Sequence, residues 1–160
     1  MFSKLKKIRC SCLIALTHNV ALPVLKQVRK VKTFPYTKEQ LQQMKDETVG
    51  KDLAIFLGDR QLQLLSHYAR HDMKHVVLGY DTTEEGELCL QSFMLGNGRI
   101  SFPVLATVLF GFLIAPEYWK KMYRAFRKGK HCMSVHGWNW FELVQKNTMD
   151  LRNEIFISRK

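Results

Sequence analysis

The first 38 residues contain no aspartate or glutamate, yet they hold nine Lys or Arg: Lys4, Lys6, Lys7, Arg9, Lys26, Arg29, Lys30, Lys32 and Lys38. The rest of the chain balances sixteen bases against fourteen acids, so the net charge of +11 is mostly an N-terminal property. An acid-free basic segment suits nucleic-acid phosphates, anionic lipid headgroups or a targeting route. Its apolar run is broken by Arg9 and carries Pro23, and it is expected to form an ordered or membrane-lying helix over about residues 4–31. Cysteine is scarce as well. Cys10, Cys12, Cys89 and Cys132 form no CxxC pair and follow no clear signal peptide, which argues for reduced, packed thiols rather than a disulfide framework.

Long apolar runs are also missing. The other strongly apolar stretch, FPVLATVLFGFLIA from Phe102 to Ala115, has 14 residues, with Pro103 at its second position and Pro116 directly after it. A spanning helix needs about 20, so a buried or membrane-dipping helix is expected instead. Directly after it, EYWKKMYRAFRKGK alternates six Lys or Arg with Tyr118, Trp119, Tyr123 and Phe126. Aromatic residues beside cations suit a membrane surface, and they suit a solvated amphipathic helix equally well. Sustained period-two alternation is absent too, which excludes a substantial sheet and leaves an all-α fold. At 160 residues, with 46% apolar composition and neither repeat nor low-complexity segment, residues 1–160 read as one helical domain. About residues 1–13 are expected to form a flexible or membrane-lying extension.

Helix signals follow in order. Thr37 with Gln40 resembles a capping box, and Val49-Gly50 is expected to interrupt the helix before KDLAIFL. Asp59 is expected to cap the helix RQLQLLSHYARHDMKHVVLG, which Gly79 ends. Thr82 with Glu85 gives a second capping box, opening a helix that runs to Gly96-Asn97-Gly98. After the apolar and basic helices, a loop through Gly137 leads to a last helix over about Trp138–Glu154.

Ligand-type residues crowd together only in RHDMKHVVLGYDTTEEGE, Arg70 to Glu87. On a helix, His71 and His75 lie about 40° apart around the axis, and Asp72 lies about 60° from His75. All three can point at one ion, and imidazole nitrogen with carboxylate oxygen suits a borderline divalent cation. A fourth ligand would come from Glu84, Glu85 or Glu87 on the next helix. Glu84 and Glu85 suit the positive end of that helix, so Glu87 is the better ligand candidate. The residues alone leave two readings open: a metal site, or an exposed polar helix face followed by a capped helix. His67 continues the stripe as an outer partner at most, and His18, His131 and His136 have no ligand-like neighbours.

His71-Asp72-x-x-His75, then eleven residues, then Glu87, resembles the motif of the fourth Coq protein family, the coenzyme Q (ubiquinone) biosynthesis proteins. FPYTKEQL with ETVGKDLAIFL, and YRAFRKGK, WNWFELV and LRNEIFI near the end, are similar to further segments of that family. The resemblance runs from about residue 14 to 157. Val49-Gly50 replaces a fuller Gly-Thr-Leu-Gly turn, and QSFMLGNGRISFPV is only loosely similar.

The resemblance implies a helical, peripherally membrane-associated protein that holds a divalent metal through His71, Asp72, His75 and Glu87. Zinc is the expected ion, with iron or manganese as alternatives. It also implies oxidative decarboxylation at C1 of a prenylated hydroxybenzoate-type intermediate, whose tail would lie in an apolar groove. Val108 and Phe112 are the candidate lipid contacts. The expected partners are the prenylated quinone precursor or another isoprenoid lipid, an anionic membrane surface, other quinone biosynthesis proteins and a second copy in a homodimer. The expected location is the cytoplasmic face of the inner membrane in a bacterium, or the matrix side of the mitochondrial inner membrane in a eukaryote. A rival from another class is a non-catalytic prenyl-lipid scaffold with a structural metal. A phosphohydrolase built on His71-Asp72 with His18 and Asp150 has poor spacing, and nucleic-acid binding has no motif behind it.

Overall fold

A computed structural model describes residues 33–157, and the basic segment expected to be helical over 4–31 lies outside them. Seven α-helices follow in order: α1 (Lys38–Gln42), α2 (Val49–Asp59), α3 (Ala69–Leu78), α4 (Glu84–Gly96), α5 (Phe102–Ile114), α6 (Trp119–His131) and α7 (Thr148–Phe156). Short 3-10 turns, Pro116–Tyr118 and Trp140–Leu143, precede α6 and α7. No strand occurs among the described residues. The only pairing of that type among the described residues is an isolated bridge between Thr48 and Asn147. The all-α expectation holds.

Several boundaries follow the sequence signals. Thr37 and Gln40 form the reciprocal capping box at α1. Gly79 ends α3 in the left-handed region at φ 74°, where a residue without Cβ carries least strain. Three boundaries differ. Val49-Gly50 opens α2 instead of interrupting a helix, because Thr48 caps it by accepting from the Lys51 amide. Gly50 is needed there, since an added Cβ would lie 2.7 Å from Val144 and 2.3 Å from the Met44 sulfur. Asp59 is the last residue of α2 rather than a cap, and residues 60–68 form turns before α3 begins at Ala69. The last helix is shorter than expected, with the 3-10 turn and a separate Asn147 cap breaking it.

The main core gathers Leu41, Leu53, Leu57, Met73, Val77, Leu90, Phe93, Trp140 and Ile155, all at most 1% exposed. Each such side chain contributes about 1.5–3 kcal/mol relative to exposure. At its centre α4 and α6 run backbone to backbone. A Cβ on Gly96 would sit 2.1 Å from the Phe126 carbonyl oxygen, and one on Gly129 would sit 2.1 Å from that of Phe93. Asn97 seals this contact by donating to the Gly129 and Met133 carbonyls and accepting from the Val135 amide. Cys89 and Cys132 are free thiols buried in this core, as packed reduced cysteines should be.

Outside this core, α5 behaves differently. Only Val104 and Gly111 of its residues are buried, and Gly111 lets it rest on the Leu88 and Met122 side chains. Phe102, Leu105, Leu109, Phe112 and Leu113 are exposed.

Candidate metal centre

The two helices that build the site are fixed by local chemistry. After Gly79, the Asp81 carboxylate accepts from the Thr83 amide at 2.9 Å and from the Thr83 hydroxyl. Thr83 then caps α4 by accepting from the Gly86 amide at 3.1 Å. Thr83 is therefore the cap, one residue after the expected Thr82. Glu85 does not close a capping box; it pairs with Lys121 of α6 at 2.6 Å. The turn admits only glycine at position 86, where a Cβ would meet the Asp81 carbonyl oxygen at 2.3 Å. This tight turn lays the first two turns of α4 against the inner face of α3.

Across that contact, Glu87 meets both histidines. Its Oε1 lies 3.1 Å from His71 Nε2, and its Oε2 lies 3.1 Å from His75 Nε2. The imidazoles meet edge to face with centroids 4.7 Å apart. One ligand atom from each of His71, His75 and Glu87 lies within 4.8 Å of the others, and the three could hold a metal ion. Glu84 is buried in the first turn of α4, and neither it nor Glu85 joins the group.

Asp72 takes another position. Its Oδ1 stands 3.8 Å from His71 Nδ1, an ion-pair distance on the far side of the ring from Glu87. As placed, its carboxylate does not join the group of three. One residue absent from the sequence-based candidates does. Gln91, one turn along α4 from Glu87, donates from Nε2 to Glu87 Oε1 at 2.7 Å and lies 3.3 Å from His71 Nε2. The Glu-x-x-x-Gln spacing was a readable signal, because residues four apart on a helix are neighbours. His67, His131 and His136 are exposed and do not join the group, and His18 lies outside the described residues. Asp150, exposed in the first turn of α7, stands outside it too.

The hydrogen bonds of His75 say what belongs in the gap. Its Nδ1 lies 3.1 Å from the Tyr80 carbonyl oxygen, which can only accept, so Nδ1 carries a proton. Nε2 of a neutral His75 is then a bare lone pair facing the Glu87 carboxylate. Two lone pairs at 3.1 Å repel unless a cation, either a proton or a metal ion, lies between them. A histidine oriented by a backbone carbonyl through its other nitrogen is the usual state of a metal ligand. The ring is almost fully buried and stacks on Phe56 with centroids 6.0 Å apart. The donor set therefore fits a divalent ion.

Electrostatics match this picture. Burial works against a charged His71, but the Glu87 and Asp72 carboxylates outweigh it and lift its pKa to about 9. Burial likewise opposes a charged Glu87, yet the two imidazoles hold its carboxyl well below the usual carboxylate range. Tyr68, whose ring centroid lies 5.2 Å from that of His71, is pushed up to about 12 by burial and by the Glu87 and Asp72 charges. Lys74, turned about 100° around α3 from His75, is buried with Nζ 6.0 Å from the Trp140 ring centroid. Burial, reinforced by Arg99 and Arg70, pushes its pKa down to about 7. Arg152 of α7 donates to the Val76 and Val77 carbonyls at 2.7 and 3.0 Å, fixing the end of the helix that carries both histidines.

The candidate lipid contacts point in different directions. Val108 packs against Leu88, Ala115, Tyr118 and Met122, whereas Phe112 is exposed and stacks on Trp119 with centroids 4.9 Å apart.

Fold and site together define an all-helical protein whose two consecutive helices present a His-His-Glu group. Residues 64–160, more than half of the chain, match the family described as coenzyme Q (ubiquinone) biosynthesis protein Coq4, and the chain belongs to that family. Membership associates it with ubiquinone biosynthesis. The fold is similar to the 2.85 Å crystal structure of a Nostoc punctiforme protein provisionally assigned to ubiquinone biosynthesis. That similarity has a TM-score of 0.65 at 22% identity, over 96% of this chain and 89% of the other. No curated protein matches the chain.

Proposed function

We propose that this protein is a divalent-metal protein of quinone biosynthesis that works at a membrane surface. Its substrate would be a prenylated hydroxybenzoate-type intermediate, whose C1 carboxyl group would leave as carbon dioxide while one atom of dioxygen enters as a hydroxyl, the other leaving as water with two electrons and two protons from an external reductant. The observation that carries the reading is the meeting of His71, His75 and Glu87 across the α3–α4 turn, in a chain of this family.

His71, His75 and Glu87 would hold the ion, with zinc the proposed metal, while Asp72, the fourth residue of the motif, would act on it through His71. When bound, the ion supplies Lewis-acid stabilisation of negative charge on a substrate oxygen. The protein residues supply the rest. By accepting from Nδ1, the Tyr80 carbonyl selects the tautomer in which the Nε2 lone pair of a neutral His75 is aimed at the site. Asp72 steadies the other face of His71. Phe56 and Tyr68 flank the imidazoles and limit water around them.

The outer surface supports the membrane part of the reading. A run of exposed apolar residues on α5 would rest in the acyl boundary. Lys120, Arg124, Arg127 and Lys130 of α6 would face anionic headgroups, each contributing about 1 kcal/mol near such a surface, while Lys121 is paired with Glu85 and Lys128 lies over the Phe156 ring. No single helix among the described residues is long and apolar enough to cross a membrane. A prenyl tail would gain about 0.8 kcal/mol per buried CH₂ along α5.

A second reading, a lipid-binding scaffold for other biosynthetic proteins, is favoured by the burial of His75, since a closed site can simply tie α3 to α4. The two separate experimentally. The protein is purified with its native metal and lipids, and both are identified by mass spectrometry. His71→Ala and Glu87→Ala are then compared with it. The enzyme reading predicts lost turnover of a prenylated hydroxybenzoate in a protein that stays folded and lipid-bound. A parent that turns over no prenylated hydroxybenzoate, with a large fall in Tm in both variants, supports the scaffold, and absence of any metal ends both.

A further inference from the structure

The contacts of Gln91 set it apart from the rest of α4. Its side chain is buried at 8% exposure, and its amide reaches two members of the candidate metal group, Glu87 and His71. A buried amide costs free energy unless its donors and acceptors are used, so a glutamine here needs a partner. The partner is the carboxylate that both histidines face.

The physical consequence concerns which oxygen of Glu87 remains available. A carboxylate can bind an ion through one oxygen or through both. The bond from Gln91 at 2.7 Å engages Oε1, while Oε2 faces His75 at 3.1 Å. An N–H on Oε1 competes with an ion for that lone pair. It also limits rotation of the carboxylate about its last torsion. Asp72 performs the matching task on His71 from the opposite side, and the Tyr80 carbonyl does so for His75. Each of the three converging residues therefore has one orienting partner.

We propose that Gln91 is a positioning residue for Glu87, which restricts the carboxylate to one-oxygen binding and thereby keeps a coordination position open for substrate. The inference rests on the metal reading of the site and adds a residue to it. Losing an orienting partner of this kind typically costs 10–100-fold in metal affinity.

The test uses the full chain, with Gln91→Leu as a near-isosteric variant lacking the donor and Gln91→Met as a second variant of similar length. Zinc affinity is measured by competition with a chromogenic chelator. The visible spectrum of the cobalt(II)-loaded protein reports coordination number, and the Tm of the metal-free protein reports any purely structural role. The expected result is zinc binding weakened about 10–100-fold in both variants, with a changed cobalt spectrum and a metal-free Tm near that of the parent. Affinity within twofold of the parent, with an unchanged cobalt spectrum, overturns the role of Gln91 while leaving the metal site standing. A parent protein that binds neither zinc nor cobalt overturns the metal reading itself, and the role of Gln91 with it.

Discussion

The α3–α4 turn and the α5–α6 limb depart from the usual inside-outside arrangement in opposite senses. At the turn, polar groups are buried: His75, Lys74, Glu84 and Gln91 all fall below 9% exposure. On the limb, apolar groups are exposed: Phe102, Leu109, Phe112 and Leu113 are all more than half exposed. Buried polar groups and contiguous exposed apolar ones are the informative departures in a folded protein. Both features cost stability in an isolated chain, and the proposed function would supply a partner for each. The turn suits an ion, and the limb suits a lipid surface. On the proposed function, the turn would serve chemistry and the limb location.

The comparison breaks most easily at the turn. Glu87→Ala removes the only carboxylate between the imidazoles, and metal binding should fall at least 100-fold by calorimetric titration. A metal present at 100 times its Kd stabilises the native state by about 2.7 kcal/mol. Chelation should therefore lower the Tm of the parent by roughly 5–10 °C, and it should leave that of Glu87→Ala unchanged. A parent Tm indifferent to chelator would remove the ion from the account.

The core between the two regions gives the next largest effect. Gly129→Val drives a side chain into the Phe93 carbonyl, where even a Cβ has only 2.1 Å. Destabilisation of about 3 kcal/mol is expected in urea unfolding. Arg152→Met removes the charged donor from the Val76 and Val77 carbonyls and should cost about 1.5–3 kcal/mol. Part of that loss should reappear as weaker metal binding, because both histidines ride on α3.

A pH series sharpens the turn further. His71 has its pKa raised to about 9 in the folded protein, against an ordinary value of 6.5. Its contribution to metal-free stability is thus fully present below pH 6.5 and is lost as pH rises through about 9. Glu87 works the other way, with a depressed pKa whose contribution is present above pH 4.5 and fades as pH falls below it. Metal-free protein should therefore lose Tm between pH 7 and 9, and His71→Gln should flatten that decline. Tm rising over the same interval would contradict the assigned pairing.

The smallest effect on stability belongs to the limb. Leu109→Glu with Phe112→Glu alters side chains that are already exposed, so the Tm should stay within the change of about 0.5 kcal/mol typical of surface sites. Flotation with anionic vesicles should nonetheless fall about tenfold or more. Unchanged flotation would leave the exposed face without its proposed surface.

Legibility followed the range of the interactions involved. The Thr37–Gln40 box, the Gly79 stop and the Pro-bracketed α5 depend on residues within a few positions, and each stands where its signal put it. The α4 cap misled because Thr82 and Thr83 are equivalent as letters. The choice is made by the Asp81 side chain and by the crowding at Gly86, which exist only once the turn has closed. Residues 60–68 contain three leucines and read as helix, but Leu62 and Leu65 are exposed and Gln61 adopts φ 54° as the chain folds back, with the Leu62 amide on the Leu57 carbonyl. At the site, helical spacing put the two histidines side by side. It could not place Asp72 on the far side of the His71 ring, because that depends on side-chain torsions and on what α4 brings. Gln91 carries in the sequence only the weak signal of its four-residue spacing from Glu87, which gains meaning once Glu87 faces inward.

The central claim is that His71, His75 and Glu87 hold a metal ion. The most direct measurement is the metal content of the protein as purified, by mass spectrometry, beside that of Glu87→Ala and His75→Ala prepared identically. The account predicts close to one divalent ion per chain in the parent and almost none in either variant. A parent without metal, or variants that keep theirs, would contradict it.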